Sequence, residues 1–368
     1  MNTLDFNSVE FAKNPDYILS QIRNTEGLFP YEMPDKTKVY LASRREDVEF
    51  VLTQKEIFKV SPAIGTQSYQ SNPFSEAIPK PLHLLATDGD VHQRLRKPLE
   101  QFFTKEILEE YRNFIQDEVL YVLKSWKTND EVDLAENLSY LIPVKTISKM
   151  LGIEWSPKFS EYAIALQMVK AEPENYLPTV VEFHQLLKAY IQKKKDQNKD
   201  DIISVLLKEG LSEDEVLSVS LLLFIAGTGT TASLIVQGLH KIMTSKQKPE
   251  DNLVDQILFK TSPANSAFPR YVHQDVTLSG TLLQKGDMVL ALLASANYDV
   301  KGNEDPLKSY LSFSKGIHHC IGWYLAKMEA EIVFNNFYQC FPNSKILQEV
   351  WFSNIISRDI VSLQVKLG

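Results

Sequence analysis

The residues best suited to chemistry gather around one cysteine. Cys320 follows Phe313, Gly316, His318 and His319, precedes Gly322, and leads into Leu325, Ala326, Lys327, Met328 and Glu329. This pattern is a loop entering a helix. Gly316 and Gly322 can take backbone conformations closed to other residues and let a flat ligand approach the chain. A thiol just ahead of a helix meets the positive end of the helix dipole and exposed N–H groups, which lower its pKa and favour the metal-binding thiolate. The residues alone leave three readings open: a small buried apolar side chain, a zinc ligand, or the sulfur ligand of another metal group. Zinc is poorly served, because His318, His319 and Cys320 are adjacent and no Cys-x-x-Cys pair accompanies them.

A second constellation is His92 and Arg96, four apart and therefore on one helix face. Such a face suits paired negative charges, which a guanidinium can bond in a fork; an exposed basic face is the plain alternative. The third is Ala226, Gly227, Thr228, Gly229, Thr230 and Thr231 within an apolar run. Small residues let a helix pass close to a partner, and a threonine hydroxyl can relay protons. Packing alone also accounts for such a run.

Several elements must position these groups. The apolar run over 216–243 is long enough to raise the question of a membrane span, but it is broken by Ser218, Ser220, Thr228, Thr230, Thr231, Ser233 and Gln237 and reads as a buried central helix. Ser212 and Glu215 form a capping box at its start. Residues 91–196 are mainly helical, with Lys193, Lys194 and Lys195 read as a solvated helix end. Lys38–Ala42 reads as a strand, 45–54 as a short helix, and Pro249 and Pro263 bracket another. Val276–Leu278 and Thr281–Leu283 form a hairpin around Ser279-Gly280, with a further strand over 288–294. The prolines of 61–81 make a loop suited to lining a ligand pocket. The fold class is thus mainly α with small β-sheets, in a single domain spanning 1–368 without repeat or linker.

The spacing Phe-x-x-Gly-x-His-x-Cys-x-Gly, matched at Phe313, Gly316, His318, Cys320 and Gly322, resembles the haem-binding signature of the cytochrome P450 family. The resemblance covers roughly residues 39–367. It implies a P450-like fold holding haem b between the long central helix and the cysteine-loop helix, with Cys320 as the axial iron ligand. It further implies that Phe313 packs near the sulfur and that His92, Arg96, Arg270 and His318 meet the haem propionates. Ala226 and Gly227 would form the oxygen-binding groove, with Thr230 as its proton-relaying hydroxyl. A thiolate pushes electron density onto the iron, which suits it to oxygen chemistry. The implied activity is a monooxygenase that inserts oxygen from dioxygen into a small hydrophobic substrate, with electrons from a separate ferredoxin or flavodoxin.

The chain departs from the family at two places. Gly229 replaces the acidic residue that normally precedes the helix threonine. A peroxide-driven or non-hydroxylating enzyme, or a degenerate haem or docking protein, is therefore an alternative. The family's Glu-x-x-Arg pair aligns with Gln256 and Phe259, and Asp255 and Lys260 point about 140° apart on a helix; apolar packing around Phe259 is the expected substitute. The net charge of −8 argues against a nucleic-acid partner, while Lys97, Lys105, Lys315 and Lys327 offer a basic patch for an acidic electron donor. Two cysteines are too few for a disulfide framework, and the N-terminus carries no leader or anchor pattern, so a cytoplasmic protein is expected. The apolar pocket should draw on 61–81, 159–183, 222–227, 263–268 and 354–356.

Overall fold

The computed structural model describes residues 4–33, 36–62, 84–168, 173–197, 199–246, 248–300, 302 and 305–368. Its elements run in the order α1 (Val9–Lys13), α2 (Asp16–Arg23), β1 (Phe29–Glu32), β2 (Lys38–Ala42), α3 (Arg45–Thr53), β3 (Phe58–Lys59), α4 (Gly89–Glu100) and α5 (Lys105–Ser125). Then come β4 (Glu131–Asp133), α6 (Leu141–Leu151), α7 (Lys158–Met168), α8 (Pro173–Lys194), α9 (Ile202–Lys208), α10 (Glu213–Ser245) and α11 (Leu253–Thr261). The chain continues through β5 (Arg270–Val272), β6 (Val276–Leu278), β7 (Thr281–Leu283), β8 (Met288–Ala291), α12 (Leu293–Tyr298), α13 (Pro306–Ser309), α14 (Trp323–Cys340), β9 (Lys345–Ser353) and β10 (Arg358–Lys366). They fall into two units: Met1–Ser71 with Pro249–Cys320 and Gln348–Leu363, and Asn72–Lys248 with Ile321–Leu347 and Gln364–Gly368.

The first unit is built on a five-stranded sheet in the order β1-β2-β8-β5-β3. Alternation along its strands assigns each side chain to one of two cores. Val289 and Ala291 of β8, with Val272 of β5, join Val48, Val51 and Leu311 on one face. Met288 and Leu290, with Tyr271, join Phe11, Leu19 and Ile22 on the other. All four residues of β8 are buried, as befits a central strand paired parallel to β2 and antiparallel to β5. The β6–β7 hairpin turns at Ser279 and Gly280, both at positive φ (48° and 82°), the backbone that a two-residue turn between twisted strands requires.

The second unit is a helical assembly around α10. Ser212 and Glu215 close the capping box at its start, and most of the helix is buried. Among the described residues it is the one helix long and apolar enough to cross a membrane, and its burial makes it a core helix. Against α14 the approach is so close that a β-carbon added to Gly238 would sit 1.9 Å from Cζ of Phe334. Asn336 and Gln116 exchange side-chain hydrogen bonds (2.8 and 3.2 Å), tying α14 to α5. The end of β10 pairs with β4 through Gln364 and Asp133, Val365 and Val132, and Lys366 and Glu131.

Three expectations need correction. The strand over 288–294 ends at Ala291, because the Leu292 carbonyl accepts the Ala296 amide (3.0 Å) and starts α12. Lys194 is no solvated residue: it is 4% exposed and donates to Asp201 at 2.5 Å. Phe159, Tyr162, Phe183 and Phe224 are buried against one another, with ring centroids 4.5–6.1 Å apart, so these aromatics of the expected pocket wall are core. The loop over 61–81 lies, beyond Pro62, outside the described residues.

The Gly238 contact sets a first test. Gly238→Ala gains up to about 1 kcal/mol in helix propensity but forces overpacking that costs about 1–3 kcal/mol. The expected outcome is a lower urea midpoint at unchanged slope; an unchanged or higher midpoint would mean that the Phe334 ring steps aside freely.

Candidate active site

The cysteine loop belongs to the first unit, and its backbone is closed by three short-range bonds. The Ser314 amide donates to the Leu311 carbonyl (2.7 Å), the His319 amide to Gly316 (3.1 Å), and the Cys320 amide to Phe313 (2.9 Å). Gly316 sits at φ +77°, and a β-carbon there would lie 2.4 Å from the Leu52 carbonyl oxygen, so glycine is required both by conformation and by space. The Phe313 ring lies 6.2 Å from that of Tyr310, centroid to centroid. Cys320 is outside any disulfide and partly exposed, and His318 is half-buried. Arg270 of β5 is 3% exposed and donates to the Phe268 carbonyl at 2.7 Å.

The other groups belong to the second unit. α14 begins just after Gly322, where a β-carbon would meet only Phe103, at 3.8 Å. On α4, His92 is 4% exposed, and Arg96 one turn later lies 3.3 Å from Glu100. Between them Arg94 turns the other way and forks onto Glu215, linking α4 to the capping box of α10. This guanidinium holds the Glu215 carboxyl at about 2.

In the middle of α10, Leu222, Ala226 and Thr230 follow each other at helical spacing as partly or fully exposed positions, flanked by the partly exposed Ile225 and Gly227, while Leu223, Phe224, Thr228 and Gly229 are buried. A β-carbon on neighbouring Gly227 would touch only Ile147, at 3.5 Å. The Thr230 hydroxyl donates to the Ala226 carbonyl (2.7 Å), and Thr228 does the same to Phe224 (2.8 Å). Gly229 is buried within the continuous helix.

The first unit therefore holds Arg270, Phe313, Gly316, His318 and Cys320, and the second holds His92, Arg96, Ala226, Gly227, Gly229, Thr230 and Gly322. Taken unit by unit, the residue types suit a flat iron macrocycle: the first unit offers a soft sulfur donor with an imidazole and a guanidinium for carboxylates, and the second a strip of small side chains on α10 with a further imidazole and guanidinium. Of the lysines expected to form a basic patch, Lys315 lies in the first unit and Lys97, Lys105 and Lys327 in the second. Lys315 pairs with Glu49 (2.7 Å) and the Lys105 ammonium sits over the Tyr324 ring (5.9 Å).

The partners and burial of two acids named in the sequence were not foreseen. The Arg94–Glu215 pair joins residues 121 apart, which local spacing does not reveal. Glu329 is 2% exposed on the buried face of α14, and burial pushes its carboxyl up to about 8 despite a bond with Thr146. Its place one turn beyond Leu325, in register with that apolar face, is the signal that could have found it.

No family model matches the chain. Cytochrome P450 CYP107DY1 of Priestia megaterium is 29% identical over 370 residues, covering 89% of this chain and 89% of that protein. The polyketide biosynthesis cytochrome P450 PksS of Bacillus subtilis is 28% identical, over 98% of this chain and 97% of its own; its solved structure matches with a TM-score of 0.83 over 98% of each chain. P450BioI, solved in complex with a hexadec-9Z-enoic acid ligated acyl carrier protein, matches with a TM-score of 0.84 at 24% identity, over 98% of this chain and 100% of that one. The helix-rich fold with small sheets is that of the cytochrome P450 structures it matches, and the named relatives are oxidoreductases. The relatives and solved structures that the chain matches are cytochrome P450s, which support a P450-type monooxygenase with haem b as its prosthetic group.

Glu329 gives a pH signature. Between its usual 4.5 and about 8 the folded chain holds a proton that the unfolded chain has released. Stability therefore falls as pH rises through that window, by at most about 1.4 kcal/mol per pH unit. Glu329→Gln should flatten this dependence, melting above wild type at pH near 8 and level with it near 4.5; parallel melting profiles would refute the buried, protonated acid.

Proposed function

We propose that Cys320 is the axial ligand of haem b in an enzyme that inserts one oxygen atom from dioxygen into a small hydrophobic substrate. The observation that carries this reading is the closed loop from Phe313 to Cys320, with the ligand's amide tied back to the Phe313 carbonyl at 2.9 Å. When bound, the haem supplies oxygen activation, and the thiolate's electron donation suits it to that task.

The chain's own residues take complementary parts. His92, Arg96, Arg270 and His318 bind the propionates; Arg270, already buried, offers a guanidinium whose desolvation a carboxylate offsets. Phe313 shields the sulfur from water. Gly316 and Gly322 keep side chains away from the macrocycle. Ala226 and Gly227 leave room on α10, and Thr230 presents its hydroxyl there. With its proton on the Ala226 carbonyl, that oxygen is an acceptor for a group bound beside it. The residues assigned to the haem come from both units, and the proposal includes the whole chain acting as a single domain.

The substrate is apolar and natural-product-like, in keeping with the polyketide-biosynthesis designation of PksS. Its electrons come from a separate ferredoxin or flavodoxin, and the enzyme works in the cytoplasm. A second reading, peroxide-driven or non-hydroxylating chemistry, draws on Gly229 and Thr230: position 229 supplies no carboxyl, and the adjacent hydroxyl has its proton engaged.

Two measurements test these readings. Cys320→Ala should abolish the red-shifted carbon monoxide band of a thiolate-ligated haem; its retention would falsify the ligand assignment. Product formed with dioxygen and a surrogate ferredoxin system should exceed product formed with added peroxide, and the reverse ranking selects the second reading.

A further inference from the structure

The last four carbonyls of a helix have no partner within it. In α11 all four are taken by side chains from elsewhere in the first unit. Leu258 accepts from Ser312 Oγ (2.6 Å) and Asn297 Nδ2 (3.3 Å), and Phe259 accepts from Asn297 Nδ2 (3.2 Å). Lys260 accepts from the Tyr298 hydroxyl (2.6 Å), and Thr261 from the buried guanidinium of Arg358. One turn earlier, Asp255 accepts from the Tyr310 hydroxyl (2.7 Å). This is the helix on which the sequence lacks the family's charged pair, with Gln256 and Phe259 in its place. The apolar substitute expected around Phe259 is therefore a set of hydrogen bonds, with Phe259 itself half-buried against Tyr298.

Asn297 stands at the centre of this set and is 0% exposed. Its Nδ2 reaches the two α11 carbonyls and Ser312 Oγ (2.9 Å), and its Oδ1 accepts the Leu311 amide (2.7 Å). The Leu311 carbonyl in turn holds the Ser314 amide (2.7 Å), and the Phe313 carbonyl holds the amide of Cys320 (2.9 Å). An unbroken path of short bonds thus runs from the end of α11 to the cysteine. An amide is the one side chain that serves both ends of it, since a carboxylate would aim oxygen at carbonyl oxygens and an aliphatic group would leave buried partners unmet.

We propose that Asn297 is a positioning residue for Cys320, holding the start of the cysteine loop against α11 through neutral hydrogen bonds where the family's charged pair is missing. The inference rests on the haem-thiolate reading for its purpose, but its geometry can be tested without haem.

The experiment uses the full-length chain as wild type, Asn297→Asp, Asn297→Leu and Ser312→Ala. In the haem-free proteins, amide hydrogen exchange over 311–320 is compared with that of the β6–β7 hairpin in the same molecule. Both Asn297 variants should raise exchange in the loop by about tenfold or more relative to the hairpin, the factor that roughly 1.4 kcal/mol gives. Ser312→Ala, which leaves the Leu311 bond in place, should raise it less. In the haem-loaded proteins the Asn297 variants should convert part of the thiolate carbon monoxide band into the blue-shifted band of a haem without its thiolate.

Unchanged loop exchange, or an increase spread evenly over loop and hairpin, overturns the proposal, as does a fully retained thiolate band. If neither Asn297 variant folds, Ser312→Ala decides by the same local comparison. A wild-type protein without a thiolate spectrum would defeat the functional reading, while the exchange data would still decide the role of Asn297.

Discussion

A sulfur atom can serve as a dependable metal ligand only when the chain carrying it has little freedom to turn away, and of the three backbone bonds that restrain the loop before Cys320 the longest-reaching is made by its own amide. The amide of Cys320 donates to the carbonyl of Phe313 and draws the intervening residues into a closed loop. Within it Ser314 and Gly316 both take positive φ (61° and 77°), a backbone that side chains other than glycine rarely adopt. Gly316 could not be anything larger, because the carbonyl of Leu52 stands where a β-carbon would go. The loop is thus shaped by α3 on one side and by its own backbone on the other, while α14 follows directly after Gly322.

Replacing a buried ion pair by neutral partners removes a large desolvation cost together with a large attraction, and the sum can be near zero. α11 illustrates how such an exchange is made. No residue at 256 or 259 carries a charge, and the helix is secured at its end by hydroxyls, an amide and one guanidinium. The guanidinium of Arg358 faces the negative end of the helix dipole, which favours the cation. Burial lowers its pKa only to about 10, so it stays protonated near neutral pH.

Elements specified by local chemistry were legible in the sequence. The Ser279-Gly280 hairpin, the capping box at Ser212 and the central helix all stand where turn residues, cap spacing and apolar runs place them. The loop entering a helix at Cys320 was legible for the same reason, since its glycines and its cysteine lie within one short segment. What escaped depends on pairings that no local pattern links. Arg94 reaches Glu215, Lys194 is buried on Asp201, and Asn297 bridges α11 to Leu311; none of these has a periodicity or spacing to betray it. The end of β8 was misjudged because Leu293 and Ala294 prolong an apolar run whose length does not tell strand from helix.

The meeting of α10 and α14 has a consequence for how this sequence can drift. The Phe334 ring fills the volume that any side chain at position 238 would need. Neither residue is therefore free to vary by itself: bulk gained at one must be given up at the other. Among descendants of this chain, the two positions should be inherited as a matched pair.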